Sequence, residues 1–174
     1  IPEVIPLLRK VERSLKNGLY AAGFISYEAS PAFDPANKTR KPGRFPLAWF
    51  STYRHFSTFR FPEDFKPSSR PAIDLSADTK KNLYIENTGE IKKFIYDGDI
   101  YQANYTFRMT GKAPKDPALL FLNRHSSHPV PYSAFVNTGA FKIISNSPEL
   151  FLESVSGRIR SMPMKGTASR SLTA

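Results

Sequence analysis

The chain has 174 residues, of which 40% are hydrophobic and 14 are Phe, and this length and content predict one packed globular core. The absence of cysteine excludes disulfides, thiolate zinc sites and cysteine nucleophiles, while the lack of a signal peptide or of an apolar run of about 18 residues indicates no membrane partner. The formal net charge of +10 favours anionic partners, among them nucleic acids and small polyanions.

The first part of the chain predicts a helix and two antiparallel strands. Apolar residues recur at helical spacing over residues 3–17, which predicts an amphipathic helix. Residues 20–27 are small and apolar, and residues 45–53 contain the only tryptophan, so we expect two strands that pair with each other. Repeated prolines predict a loop over residues 30–46. This loop carries a cluster of cations that we expect to be solvated: Lys38, Arg40, Lys41 and Arg44.

The middle of the chain predicts a connector, a helix and a half-buried strand. Residues 56–61 are expected to extend the first sheet, and the prolines that follow predict irregular structure up to about Ala77. Apolar residues on one face predict a helix over residues 79–96. Residues 101–108 then alternate aromatic and polar side chains, which predicts a strand with one face packed and the other open to solvent or ligand.

Two histidines follow a short helix that Asp116 is expected to cap and that should end near Arg124. His125 and His128 are close enough in sequence to share a metal ion, but no third ligand lies nearby. We therefore expect ordinary histidines in a loop. Next, a hairpin is predicted over residues 132–146, turning at Thr138 and Gly139.

The last quarter of the chain carries its sharpest chemistry. Glu149 begins a strand, a hairpin is predicted to turn at Ser156 and Gly157, and Lys165 follows the returning strand. A carboxylate and an amine can then share one cleft. The glutamate can protonate a leaving group, and the lysine can act as a nucleophile if burial or neighbouring cations lower its pKa. The spacing alone favours two solvated surface charges over a catalytic pair.

Two strings in this quarter are similar to the signature of the chorismate-utilising enzymes, in particular of the aminodeoxychorismate synthase component I (para-aminobenzoate synthase component I) group. They are Ser147-Pro148-Glu149-Leu150-Phe151 and Pro163-Met164-Lys165-Gly166-Thr167. Three earlier segments resemble the same family in the same order: Gly23 to Ala29, Gly98 to Thr106, and Pro131-Tyr132-Ser133. The resemblance therefore extends over most of the chain.

The resemblance implies an α+β chorismate-binding fold like that of anthranilate synthase component I, with antiparallel sheets packed face to face and helices outside. The hairpin-linked strands and few helices predicted above agree with it. Because family members continue well beyond the lysine loop, we expect residues 1–174 to be the N-terminal portion of a single chorismate-binding domain. That portion alone is expected to be inactive.

The implied reaction replaces the C4 hydroxyl of chorismate with ammonia, giving 4-amino-4-deoxychorismate for para-aminobenzoate and folate synthesis. Lys165 would attack C2 of the ring, and Glu149 would protonate the departing hydroxyl. Ammonia would then expel the lysine. Gly166, Thr167 and Ser147 would contact the substrate. A glutamine amidotransferase subunit is the implied source of ammonia.

Magnesium is the cofactor that the resemblance implies, since it holds the ring carboxylate in the family. Its glutamate ligands are expected beyond residue 174, with no metal ligand in this chain. Pro131, Tyr132 and Ser133 resemble part of a tryptophan pocket of relatives. Whether tryptophan binds, the oligomeric state, any fused domain and the docking surface for the amidotransferase stay open. The absence of cysteine is typical of a reducing compartment, and we expect the cytoplasm.

Two alternatives compete with this reading. Anthranilate synthase component I, of tryptophan synthesis, resembles the motif but carries alanine where this chain has Lys165. Isochorismate and salicylate synthases place a water-activating lysine where this chain has Gln102, which disfavours hydrolytic chemistry.

Outside the family, a basic module that binds nucleic acid would place aromatic and cationic side chains on one face. Tyr101 and Tyr105 are expected opposite Arg108, so we expect no nucleic acid.

Overall fold

The computed structural model describes residues 1–58 and 73–164. Within these ranges, α-helices and short antiparallel strands occur together, so the fold class is α+β as predicted. The strands of the described residues pair as four two-stranded sheets, β1 with β2, β3 with β4, β5 with β6 and β7 with β8. In the described ranges, no helix is long and apolar enough to cross a membrane.

The elements follow one another in chain order. They are α1 (Val4–Lys16), β1 (Tyr20–Ile25), a 3₁₀ helix (Tyr27–Ala32), β2 (Ala48–Tyr53), β3 (Leu75–Ala77), α2 (Lys81–Tyr96), β4 (Met109–Gly111), α3 (Pro117–Ser127), β5 (Tyr132–Asn137), β6 (Lys142–Ser147), β7 (Leu150–Val155) and β8 (Arg158–Met162). The chain divides into two compact units, one formed by Ile1–Lys66 with Arg124–Ala174 and the other by Pro67–Asn123.

In the first unit, α1 lies against the β1–β2 sheet, and its Val4 is only 3% exposed. The register of the sheet runs from Tyr20 opposite Tyr53 to Ile25 opposite Ala48. Within it, the backbone carbonyl of Trp49 would clash with any Cβ added at Gly23. Glycine is therefore required at this point of β1 for the two strands to pair.

An aromatic cluster joins this sheet to the β5–β6 hairpin. Phe45 stacks on Phe24 with ring centroids 5.1 Å apart, and its edge meets Phe141 at 5.3 Å. Trp49 also stacks on Phe24, with ring centroids 6.3 Å apart. Such pairs are worth about 0.5–1.5 kcal/mol beyond their burial. The cluster therefore stabilises the position of the hairpin that leads to Glu149.

In the second unit, Asp78 and Arg108 extend the short β3–β4 pairing. The Arg108 backbone N–H donates to Asp78 Oδ1 at 3.1 Å, and the Asp78 N–H donates to the Arg108 carbonyl at 2.9 Å. Desolvation acts to raise the pKa of Asp78, but hydrogen bonds from the Arg108 backbone, the Thr79 hydroxyl and the Arg108 side chain outweigh it and lower the pKa.

Most predicted elements are confirmed, and four predictions were wrong. Residues 101–108 are not a strand; β4 begins only at Met109 and pairs with β3, which lies where prolines predicted irregular structure. His125 lies in the last turn of α3 and not in a loop. Residues 56–58 form no strand, and residues 59–61 of the same prediction lie outside the described residues.

The failed strand prediction has a physical reason in α2. Tyr105 stacks on Tyr84 of α2 at 5.0 Å and accepts a hydrogen bond from Asn87 Nδ2 at 2.6 Å, while Phe107 meets Tyr84 edge-on at 5.5 Å. The alternating aromatic residues therefore pack against a helix. Tyr101, predicted for the same packed face, is 93% exposed.

Candidate active site

The β7–β8 hairpin confirms the predicted turn at Ser156 and Gly157. Val155 pairs with Arg158, and the two residues between them have φ values of 50° and 77°. Two successive positive φ values are typical of the type I′ turn, which matches the twist of the strands it joins. This turn returns β8 antiparallel alongside β7.

The open end of the hairpin brings two site segments together. Leu150 pairs with Met162, so Glu149 directly precedes, and Pro163 directly follows, the paired ends of β7 and β8. The backbone of Glu149 thus lies beside the chain that enters the lysine motif. Lys165, Gly166 and Thr167 lie outside the described residues, so their positions in a shared cleft stay predictions.

Ser147 holds the backbone of Glu149 in the turn between β6 and β7. Its hydroxyl accepts a hydrogen bond from the Glu149 N–H at 3.2 Å and donates one to the Glu149 carbonyl at 3.0 Å. The next residue, Leu150, is only 9% exposed and anchors the start of β7. Ser147 was predicted to contact substrate, and in the structure its hydroxyl binds the proposed acid's own backbone.

The residues resembling a tryptophan pocket lie beside this turn. Across the β5–β6 hairpin, Tyr132 pairs with Ser147, and Ser133 pairs with Asn146. Tyr132 and Ser133 are half-buried, whereas Pro131 is exposed. The strand pairing therefore brings the pocket-like segment and the Glu149 turn to one end of one sheet. Whether tryptophan binds there stays a prediction.

His125 is a residue of this region that the sequence pattern missed. Its Nδ1 lies 3.0 Å from Ser133 Oγ, which also lies 3.3 Å from Asn146 Oδ1 and 3.3 Å from the Val130 carbonyl. The sequence gives no signal for this contact, because it depends on where α3 ends relative to β5. The histidine belongs to a half-buried polar cluster, defined here as His125, Ser133 and Asn146.

The described residues do not supply a magnesium site. Within residues 1–58 and 73–164, no three or more His, Cys, Asp or Glu side chains are grouped so that they could hold a metal ion. Among these residues, the cofactor that the resemblance implies therefore has no such group of ligands.

Comparison with known proteins identifies the class to which this chain belongs. The family model for chorismate binding enzymes matches residues 60–174, and the chain belongs to this family. No solved structure matches the chain.

Individual relatives come from two branches of that family. The chain is 32% identical over 110 residues to aminodeoxychorismate synthase component 1 of Bacillus subtilis, covering 63% of this chain and 23% of the relative. It is 30% identical over 107 residues to the Escherichia coli protein of the same name, covering 59% and 24%. Anthranilate synthase component 1 1 of Haloarcula marismortui is 32% identical over 107 residues, covering 62% and 22%. The match thus spans about a quarter of each relative.

Proposed function

We propose that the chain is part of an enzyme that aminates chorismate at C4, giving 4-amino-4-deoxychorismate for para-aminobenzoate and folate synthesis. The observation that supports the proposal is the pairing of Leu150 with Met162, because Leu150 directly follows Glu149 in sequence and Met162 precedes the Pro163–Thr167 string. The relatives named aminodeoxychorismate synthase component 1 support the same reaction.

This displacement needs a nucleophile and a proton donor, and Lys165 and Glu149 are the residues we assign to these roles. The neutral amine of Lys165 attacks C2, the ring double bonds shift, and the C4–O bond breaks as Glu149 gives its proton to the departing hydroxyl, which leaves as water. Ammonia then adds at C4, the double bonds shift back, and the C2–N bond breaks to release the lysine. The ammonium proton returns to Glu149, so both residues end as they began.

Several wider features belong to the same proposal. The family membership supports antiparallel sheets packed face to face with outer helices. We also propose that residues 1–174 are the N-terminal portion of one chorismate-binding domain. Such a portion would be inactive alone. We further propose cytoplasmic location, magnesium held by glutamates outside this chain, and a glutamine amidotransferase subunit that supplies ammonia.

Amination at C2, giving anthranilate, is a second candidate. It is favoured by the similarity to an anthranilate synthase component, whose identity to this chain equals that of the Bacillus subtilis relative. Lys165 argues against it, because the anthranilate branch carries alanine at this position. The identity of the product decides between the two.

The test uses the complete protein that contains this chain, supplied with chorismate, magnesium and ammonium, with the product identified by mass spectrometry. Aminodeoxychorismate from the native protein, and a Lys165→Ala variant slowed by orders of magnitude, would support both the reaction and the nucleophile. Anthranilate as product would establish the second candidate. An unimpaired Lys165→Ala variant would remove the role given to the lysine.

A further inference from the structure

The last turn of α3 is attached to the β5–β6 hairpin through side chains. His125 Nδ1 lies 3.0 Å from Ser133 Oγ, and Ser133 Oγ lies 3.3 Å from Asn146 Oδ1. All three residues are half-buried, and buried hydrogen bonds are held more strongly than exposed ones because water does not compete for the same groups. The polar cluster therefore ties a helix end to the strands at the Glu149 end of the sheet.

The proton arrangement of the cluster follows from its acceptors. Ser133 has one hydroxyl hydrogen, and two of the groups near its oxygen, the Val130 carbonyl and Asn146 Oδ1, can only accept. The hydroxyl therefore donates to one of these two and accepts a hydrogen bond from His125. This requires a hydrogen on His125 Nδ1.

The cluster is connected to Glu149 by two short steps. Asn146 is followed by Ser147, whose hydroxyl bonds both the N–H and the carbonyl of Glu149. Asn146 also pairs with Ser133 across the sheet, beside the pair formed by Tyr132 and Ser147. A shift of Asn146 would thus move the residue that fixes the Glu149 backbone.

We propose that His125 is a positioning residue for Glu149, acting through its Nδ1–H, Ser133 and Asn146 without touching the substrate. The proposal rests on the proposed function, because it assumes that Glu149 is the acid. It assigns a role to a histidine that the sequence pattern treated as an ordinary loop residue. It also gives Ser133 a function in holding the sheet that is separate from any contact with tryptophan.

The kinetic test compares two substitutions in the complete protein. In His125→Asn the amide Nδ2–H stands close to the position of Nδ1–H, whereas in His125→Gln the donor reaches further, towards the position of Nε2. His125→Gln should lower kcat with chorismate and ammonium by about tenfold, the value of roughly one hydrogen bond, with little change in KM. His125→Asn should restore most of the lost rate.

A matched control lies three residues along the chain. His128 is exposed, so His128→Gln makes the same chemical change outside the cluster and should leave kcat and the melting temperature unchanged. Equal rates for His125→Gln and His125→Asn would overturn the proposal. So would a loss that appears only in KM or only in the melting temperature, since either result indicates a general structural role.

A second measurement does not depend on activity. Histidine-selective ¹⁵N labelling of the complete protein, with His125 assigned by the loss of its signals in His125→Asn, reports which ring nitrogen carries hydrogen. A protonated Nδ1 whose shift changes in Ser133→Ala is the expected result, and an unprotonated Nδ1 would overturn the proposal. If the enzyme forms another product but the Nδ1 result holds, the proposed reaction fails while the cluster stands.

Discussion

Leu150 pairs with Met162 across the open end of the β7–β8 hairpin, one residue after Glu149 and one before Pro163. Between Leu150 and Glu153 the register shifts, which marks a β-bulge close to this end. Bulges are frequent next to active sites, where they change the direction of a side chain without ending the strand. The pairing therefore fixes the backbone next to Glu149, the proposed acid.

Glu149→Gln should lower kcat for chorismate amination by about 10²–10⁴, because the amide cannot donate a proton to the departing hydroxyl. KM should change little, since the substituted group has nearly the same size. The matched control is Glu153→Gln in the same hairpin, whose carboxylate pairs with Arg160 at 2.9 Å in an exposed setting. Exposed pairs contribute about 0–1 kcal/mol, so this control should keep its rate. Equal losses in the two variants would contradict the role of Glu149.

Ser147→Ala should lower kcat because it removes the hydroxyl that bonds both the N–H and the carbonyl of Glu149. A loss of about tenfold is expected, corresponding to about 1.4 kcal/mol of lost positioning. Ser147→Thr keeps the hydroxyl and should retain most of the rate. Steady-state kinetics on the three proteins checks this, and the idea fails if threonine is no better than alanine.

Gly157→Ala should destabilise the protein because Gly157 has a φ of 77°, a conformation that costs a residue with a Cβ about 1–2 kcal/mol. Gly43→Ala is the control, since no positive φ is recorded there and nothing lies within 4 Å of an added Cβ. Thermal melting of both variants tests the difference. A Gly157→Ala variant as stable as native protein would show that the turn adopts another form in solution.

Asp78 predicts a dependence of stability on pH. Its pKa is lowered in the folded state from the ordinary value of 3.8, so it stabilises the fold above pH 3.8 and this contribution is lost as the pH falls through the folded value. Asp78→Asn should therefore have a lower melting temperature than the native protein at neutral pH, and the two melting temperatures should converge in acid. When Arg108→Gln is also present, the difference in melting temperature caused by Asp78→Asn at neutral pH should become smaller but not disappear. The reason is that the backbone N–H of residue 108 still donates to Asp78.

Local patterns predicted much of this fold, and contacts between distant segments account for what they missed. The turn at Ser156 and Gly157 was predictable because glycine tolerates positive φ, and α1 because its apolar residues follow a helical period. The alternation over residues 101–108 misled, since an extended chain whose aromatics pack on Tyr84 gives the same pattern as a strand. β3 spans only Leu75–Ala77, too few residues for a period to be visible.

The candidate site likewise contains residues that the sequence identified and one that it did not. Glu149 and Ser147 were found because they belong to a string similar to a known family, and the hairpin that presents them follows from its turn residues. His125 was missed because its contact with Ser133 depends on the packing of α3 against β5, which no spacing in the sequence encodes. Positioning residues of this kind are visible only once the helix end has been placed.

Gly23 gives the last prediction, because two glycines of this chain should respond to alanine with opposite signs. A Cβ at Gly23 would clash with the Trp49 carbonyl and lie 2.6 Å from a side-chain carbon of Phe50, so Gly23→Ala must push β1 away from β2. We expect a loss of at least about 2 kcal/mol, the upper range for overpacking.

Gly89 is the glycine at which alanine should stabilise the protein, and Gly89→Ala is the control for Gly23→Ala. It lies inside α2 with nothing within 4 Å of an added Cβ, so Gly89→Ala should stabilise the helix by about 0.5–1 kcal/mol. Trp49 is the only tryptophan, so its fluorescence during denaturant unfolding reports on the β1–β2 sheet directly. A native emission spectrum and unchanged midpoint for Gly23→Ala would mean that β1 and β2 are not paired in the register described, since that register leaves no room for the added carbon.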